Sequence, residues 1–358
     1  VNRLNDLLAA LNHPELETEK VYQPRIRAED LLREGTGQDT GDFREVAGQE
    51  NAKRGAEIAA AGFHNLLMIG PPGVGKSMVA GRIPGILPPL TLKESLEVTG
   101  IFSVAGLLPP GQALITRRPF YAPHHTVTQA ALIGGGSGIP RPGMVSLAHR
   151  GVLFLDELPE FRKNVLDGMR QPMEERKVQI ARSAGMVTYP SDFILVAAMN
   201  PCPCGYYPDR NKCRCTQPQI EKYLGKISGP ILDRIDLCVE LHPVDILHLQ
   251  KTKTEKSSED MKRQIRHARE RQAERFAGTD CRFNGDIRSA QVEEYCPLGE
   301  EGQKVMEQLY RTLQLSARVY HRILKTARTI ADLEDREEIT GEHLLEAACY
   351  RPSETYWN

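Results

Sequence analysis

The string Gly70-Pro71-Pro72-Gly73-Val74-Gly75-Lys76-Ser77-Met78, set directly behind the apolar run Leu66-Leu67-Met68-Ile69, constrains this chain more than any other feature in it. It matches G-x-x-x-x-G-K-[ST]. The glycines let the backbone curl with its N–H groups pointing inward, and the helix that follows offers its positive N-terminus to the same spot. Such a loop needs a buried strand before it and a helix after it, which commits the chain to an α/β layer with a central parallel sheet. Lys76 is expected to reach the β and γ phosphates of a nucleotide. Ser77 offers a hydroxyl to Mg²⁺, and Met78 completes the binding segment in the first helical turn.

A second apolar run, Val152-Leu153-Phe154-Leu155, ends in Asp156 and Glu157. Carboxylates at the C-terminal tip of a strand sit where open α/β sheets hold ligands. Asp156 is expected to hold Mg²⁺, through water, and Glu157 to orient the water that attacks the γ phosphate. A third run, Ile194 to Met199, delivers Asn200, whose amide suits the same water, although an Asn in that place is also an ordinary turn former. Leu237 to Leu241 reads as a further buried strand.

With 358 residues, two domains are the natural reading: an α/β nucleotide-binding domain over 42–245 and a smaller all-α lid over 246–358. Helical patterns run from Met261 to Phe276, Gln303 to Leu313, Ala317 to Leu333 and Gly341 to Tyr350. Residues 1–41 read as a linker carrying one short amphipathic stretch, Leu4 to Leu11. No apolar run approaches the length of a membrane span and no leader pattern opens the chain, so the cytoplasm is the expected location. Net charge is only −1, so any nucleic-acid surface must be local.

The order strand, phosphate loop, Asp-Glu, Asn and then Gly229-Pro230-Ile231-Leu232-Asp233-Arg234-Ile235-Asp236 resembles the AAA+ ATPases of the magnesium-chelatase-like branch, from about Asp42 to Tyr350. Within that branch, Tyr121-Ala122-Pro123-His124-His125-Thr126, the run Gly134-Gly135-Gly136 and Ala198-Met199-Asn200-Pro201-Cys202-Pro203-Cys204-Gly205 look most like the ComM/YifB-type family. The resemblance implies a hexameric ring that hydrolyses ATP to migrate branched DNA during natural transformation. It also places an arginine finger at Arg234 and a sensor 2 arginine at Arg318, and sets Gln49 beside the adenine. A salt bridge of Arg234 with Asp233 or Asp236 is the plain alternative; Arg318 shares its helix with Arg322, Lys325 and Arg328. Members of that family also carry an N-terminal domain resembling that of Lon protease, for which these residues offer no match.

From Val98 to Leu155, 58 residues contain no Asp or Glu, while Arg117, Arg118, Arg141, Arg150 and three His are present. Local positive potential of this kind suits DNA phosphates, with Arg117 and Arg118 as candidate contacts; a buried or Gly/Pro-rich stretch is the alternative. Residues 176–190 alternate and turn like a β-hairpin. It resembles the family's hairpin that lines a ring's channel, with Lys177 and Arg182 gripping the backbone without reading bases. The basic stretch Lys262 to Arg271 reads as a solvated helical face. His124 and His125 read as packing or loop hydrogen-bonding residues.

Cys202, Cys204, Cys213 and Cys215 crowd into one loop. Four thiolates close a tetrahedral structural Zn²⁺ site; free or redox-active thiols are the alternative, and disulfides are opposed by cytosolic reductants. The combined expectation is a ring-forming ATPase with ATP and Mg²⁺, moving sequence-tolerantly along DNA. The rivals are a chelatase-type motor that remodels a partner protein and a nucleotide-gated scaffold with little turnover.

Overall fold

The computed structural model describes residues 41–136, 140–182, 185–244 and 256–352 together with Tyr356. All but the last residue of the expected 1–41 linker lies outside them, as do much of the Lys-rich stretch after Val244 and the side chain of Arg182.

The strands are, in chain order, β1 (Leu66–Ile69), β2 (Phe120–Tyr121), β3 (Gly134–Gly135), β4 (Arg141–Pro142), β5 (Val152–Leu155), β6 (Lys177–Arg182), β7 (Gly185–Pro190), β8 (Ile194–Met199) and β9 (Leu237–Glu240). Five of them form the central sheet in the order β2, β5, β8, β1, β9, with every neighbour parallel. The expected parallel α/β sheet is therefore present. β3 pairs with β4 and β6 with β7 as separate antiparallel ribbons.

β1, β5 and β8 are buried at every position, because helices cover both faces and a parallel sheet then has no wet side. Alternate residues feed two cores. Leu66, Met68, Phe154 and Val196 face one; Leu67, Ile69, Leu155 and Ala197 face the other. Burying each of these side chains other than Ala197 stabilises the fold by roughly 1.5–3 kcal/mol.

The longer helices are α1 (Glu50–Gly62), α2 (Lys76–Ile86), α3 (Leu92–Ala105), α4 (Gln217–Leu224), α5 (Ser258–Arg275), α6 (Glu300–Thr312), α7 (Ala317–Leu333) and α8 (Gly341–Cys349). Capping boxes at Thr91 with Glu94 and Ser257 with Asp260 fix the starts of α3 and α5. The four C-terminal helices form the all-α region expected after the sheet, and α5 and α7 pack on α1 in the first core. A buried carboxylate ties the two parts together. Asp192 accepts from Arg150 and Arg176 at 2.6 Å each and from Arg282, while Arg176 also pairs with Asp286.

Candidate functional site

β8 lies between β1 and β5, so the loops leaving the C-terminal ends of these three strands converge. Lys76 Nζ donates to the carbonyls of Gly70 at 2.7 Å and Pro71 at 2.9 Å and to Asn200 Oδ1 at 3.0 Å. Ser77 Oγ donates to Asp156 Oδ2 at 2.8 Å. Burial holds the Lys76 ammonium below its ordinary value, while the nearby charges of Asp156 and Glu157 pull it back up. The lysine thus sits in a partly desolvated place facing two carboxylates.

This donor set fits a magnesium nucleotide. α2 starts behind Gly75, whose φ of 95° lies in the left-handed region, and no side chain caps its first-turn N–H groups. Those donors are available to an anion. Gly73 also has positive φ, and the space above both glycines is open. The Ser77 and Asp156 oxygens are close enough to share one hard cation. Gln49 Nε2 bridges the carbonyls of Val74 at 3.2 Å and His242 at 2.7 Å, placing it across the same loop.

Glu157 follows Asp156 with φ of 52°, and its amide donates to Asp156 Oδ1 at 2.9 Å. Its Oε2 lies 3.2 Å from His125 Nδ1. His124 behaves as a loop residue, with Nδ1 2.9 Å from Thr126 Oγ1. His125 does more than the sequence suggested: it touches the carboxylate assigned to the attacking water. No motif spacing links the two residues, because the contact depends on how β2 and β5 lie side by side.

Arg234 and Arg318 stand at the opposite edge of the sheet. Asn65, immediately before β1, donates from its amide N–H to Asp236 Oδ2 at 2.9 Å and from Nδ2 to the Arg234 carbonyl at 2.8 Å. Arg234 reaches Glu174 at 2.7 Å, and Arg318 pairs with Asp233. Neither guanidinium is brought together with Lys76 and Asp156. The salt bridge considered for Arg234 exists with Glu174 instead of its own neighbours. Among the competing cations on α7, Arg322, Lys325 and Arg328 all donate to backbone carbonyls, whereas the Arg318 side chain is 76% exposed.

The hairpin of β6 and β7 alternates as its pattern predicts. Val178, Ile180 and Tyr189 are buried, while Lys177, Gln179 and Thr188 are exposed. Arg117 is exposed on the rim of a groove of about 350 Å³ that Lys262 and Arg266 also line. Arg118 corrects the sequence expectation. It turns inward, donating to the carbonyls of Pro88 and Arg150 and pairing with Glu94 at 3.2 Å, so it props the loop rather than facing DNA. Arg150 is likewise paired, with Glu97 and Asp192, so acids from outside the acid-free stretch neutralise part of its charge.

The four loop cysteines have sulfur atoms within 4.8 Å of one another. Cys202 Sγ is 3.3 Å from Cys204 Sγ and 3.8 Å from Cys213 Sγ. Tetrahedral zinc with Zn–S near 2.3 Å sets sulfurs about 3.8 Å apart, so the donor set fits that ion. Burial opposes ionisation of Cys204, yet hydrogen bonds from the Tyr206 backbone and from Cys202 bring its thiol down to about 6. Burial, with the neighbouring sulfurs, pushes Cys215 up to about 12. The loop abuts the phosphate loop: a Cβ on Gly205 would meet Pro72 Cδ at 2.6 Å.

Comparison with known proteins places this arrangement. The protein of Salmonella typhimurium named uncharacterized protein YifB is 46% identical over 314 residues, 87% of this chain and 60% of the relative. Competence protein ComM of Haemophilus influenzae is 43% identical over 322 residues, 88% of this chain and 61% of the relative. The magnesium-chelatase 67 kDa subunit of Chlorobaculum parvum is 25% identical over 241 residues, 62% of this chain and 34% of that subunit. The chain therefore spans about 60% of the length of its nearer curated relatives. Residues 42–249 match the model for magnesium chelatase subunit ChlI and residues 255–351 the model for its C-terminal part. The chain belongs to the magnesium chelatase ChlI family, a branch of the AAA+ proteins.

Proposed function

We propose that this chain is an ATP-hydrolysing motor that works as a ring of identical copies and moves branched DNA in the cytoplasm. The contact between Ser77 and Asp156 is the observation that carries the ATPase reading, because it joins the phosphate loop to the strand-tip carboxylate. Mg²⁺-bound ATP supplies the γ-phosphoryl group. Lys76 would place positive charge on the phosphate oxygens, Ser77 and Asp156 would hold the cation, and Glu157 with Asn200 would orient the attacking water. Arg234 and Arg318, set at the far edge of the sheet, are suited to a phosphate bound by a neighbouring copy. That separation favours an oligomer over a monomeric enzyme.

The DNA reading draws support from the exposed edge of the β6–β7 hairpin and from likeness to a protein named for competence. A hairpin that presents Lys177 on one face and buries the other suits backbone gripping without base readout. The Cys202 to Cys215 cluster is proposed to hold one structural Zn²⁺, whose four protein ligands leave no open position for catalysis.

The test is branch migration on a labelled three-way junction with ATP, a non-hydrolysable analogue, and the Lys76→Ala chain. Migration with ATP alone is expected. A chain that hydrolyses ATP but leaves the junction untouched would return the function to a chelatase-type motor acting on a partner protein, which the Chlorobaculum relative favours. In that case DNA would not stimulate turnover.

A further inference from the structure

We propose that the groove between α5 and the chain segments flanking α3 seats a DNA strand by its backbone phosphates, where the sheet meets the helical region. This rests on the DNA reading above and gives it a surface separate from the β6–β7 hairpin. One wall is built by the turn after α2, with Pro88 and Pro89, and by Thr116 and Arg117 ahead of β2; α5 supplies the other, with Lys262 and Arg266. Arg118 braces the first wall from behind, donating to the Pro88 carbonyl and pairing with Glu94. The lining carries four cations, Arg117, Arg118, Lys262 and Arg266, against one acid, Glu259. On a chain of net charge −1 that is a local concentration of positive potential.

The pattern of α5 presents these cations. Met261, Ile265 and Ala268 are buried in the first core, which turns Lys262 and Arg266 onto the flank that faces the groove. Four residues apart, they stand about 6 Å from one another along the helix axis. Successive phosphates of a strand are similarly spaced, so each cation can meet a different one. Glu259 pairs with Lys262 at 3.6 Å, but its side chain is 75% exposed, and a wet pair of that kind competes weakly with phosphate. The exposed Arg266 guanidinium has no ion-pair or hydrogen-bond partner among the described residues. Among those residues no aromatic ring lines the groove, so bases have nothing to stack on and the contact is indifferent to sequence. A free phosphate ion would use only part of this charge, whereas a strand engages both walls at once.

The groove also adjoins the nucleotide helix. α2 begins at Lys76, and Pro84 and Gly85 near its end line the groove, about 13 Å further along the axis. A strand lying there bears on α2 and α5 together, and so on both parts of the fold.

The experiment follows the anisotropy of a labelled single-stranded DNA against salt, and turnover with and without that strand. It compares the wild type with Lys262→Ala/Arg266→Ala, with Arg266→Glu, and with Lys304→Glu, an equal charge change on α6 outside the groove. The alanine pair should weaken strand binding about tenfold and shrink the slope of log affinity against log salt by about 1.4, two contacts at about 0.7 each. Arg266→Glu should weaken binding and DNA-stimulated turnover while DNA-free turnover and the melting midpoint stay at the wild-type level. Lys304→Glu should bind as the wild type does, and inorganic phosphate at matched ionic strength should leave the strand in place. An alanine pair with wild-type affinity and slope overturns the groove. An equal loss in Arg266→Glu and Lys304→Glu overturns it too, because net charge alone then explains the effect, and displacement by inorganic phosphate reduces it to a small-anion site. Strand binding that is lost in Lys177→Ala but kept in the groove variants overturns the groove and leaves the DNA reading standing; a wild-type chain that binds no strand overturns both.

Discussion

Asn65 holds Arg234 by its backbone carbonyl, at 2.8 Å, one residue before the strand that leads to the phosphate loop. The two halves of the proposed catalytic unit are thereby fixed to opposite ends of β1.

Mixing inactive chains tests that arrangement. Arg234→Ala is expected to retain nucleotide affinity and lose turnover by about 10³-fold or more, the effect of removing an arginine finger. Lys76→Ala should lose nucleotide binding. Combined in one preparation, the two inactive chains should regain part of the activity, because some interfaces then pair an intact Lys76 with an intact Arg234. Turnover that stays at zero across all mixing ratios, with assembly verified by light scattering, would rule the shared site out.

At the phosphate site itself, Glu157→Gln keeps the shape of the side chain and removes its charge. Turnover should fall by about 10²–10⁴-fold, the usual worth of a positioned base, while affinity for a fluorescent ATP analogue changes little. An equal loss in both measurements would mean that Glu157 binds the nucleotide rather than acting on water.

The sulfur cluster makes a stoichiometric prediction. Purified chain should contain one zinc per molecule by elemental analysis. A chelator combined with a thiol reagent should release it and lower the melting midpoint by about 1–2 °C for each kcal/mol of lost stability. Cys213→Ser, removing a buried ligand, should do the same without chelator.

Stability should fall on acidification well before the carboxylates titrate. Burial holds both His64 and His149 down to about 4, against an ordinary value of 6.5. For His64 the nearby Asp236 opposes this, while Lys325 and Arg269 reinforce it. The unfolded chain takes up these protons first. Stability is therefore complete above the ordinary value and declines as pH drops toward 4, by about 3 kcal/mol per histidine at most. Melting curves of the wild type and His64→Gln between pH 7 and pH 4 check this. The variant, which loses the bond to Thr329 Oγ1 at 2.8 Å, should be less stable at pH 7 and show a shallower slope.

If Lys177 meets a phosphate, Lys177→Ala should weaken binding to all sequences alike. The slope of log affinity against log salt should shrink by about 0.7 on single strands. An unchanged slope would move the contact elsewhere on the chain.

Much of this architecture was legible in the sequence because its strands are unbroken apolar runs. Leu66 to Ile69, Val152 to Leu155 and Ile194 to Met199 carry no polar residue, and each ends in a chemically marked position. The α7 pattern likewise predicted Ala317 to Leu333 to the residue. What escaped was short or non-local. β2 and β3 have two residues each and no periodicity to read. Arg118 looked like a phosphate contact because its partner Glu94 lies outside the acid-free stretch. His125 carried no signal because its contact with Glu157 is made by the fold alone.

β1 spans four residues between Asn65 and Gly70, so the phosphate loop and the finger's anchor are about 16 Å apart along a nearly inextensible strand. Such a strut acts as a ruler. Whatever moves the loop at one tip arrives at the Arg234 backbone on the other with little attenuation, and in the ring proposed above a single residue inserted between them would misalign two neighbouring nucleotides at once.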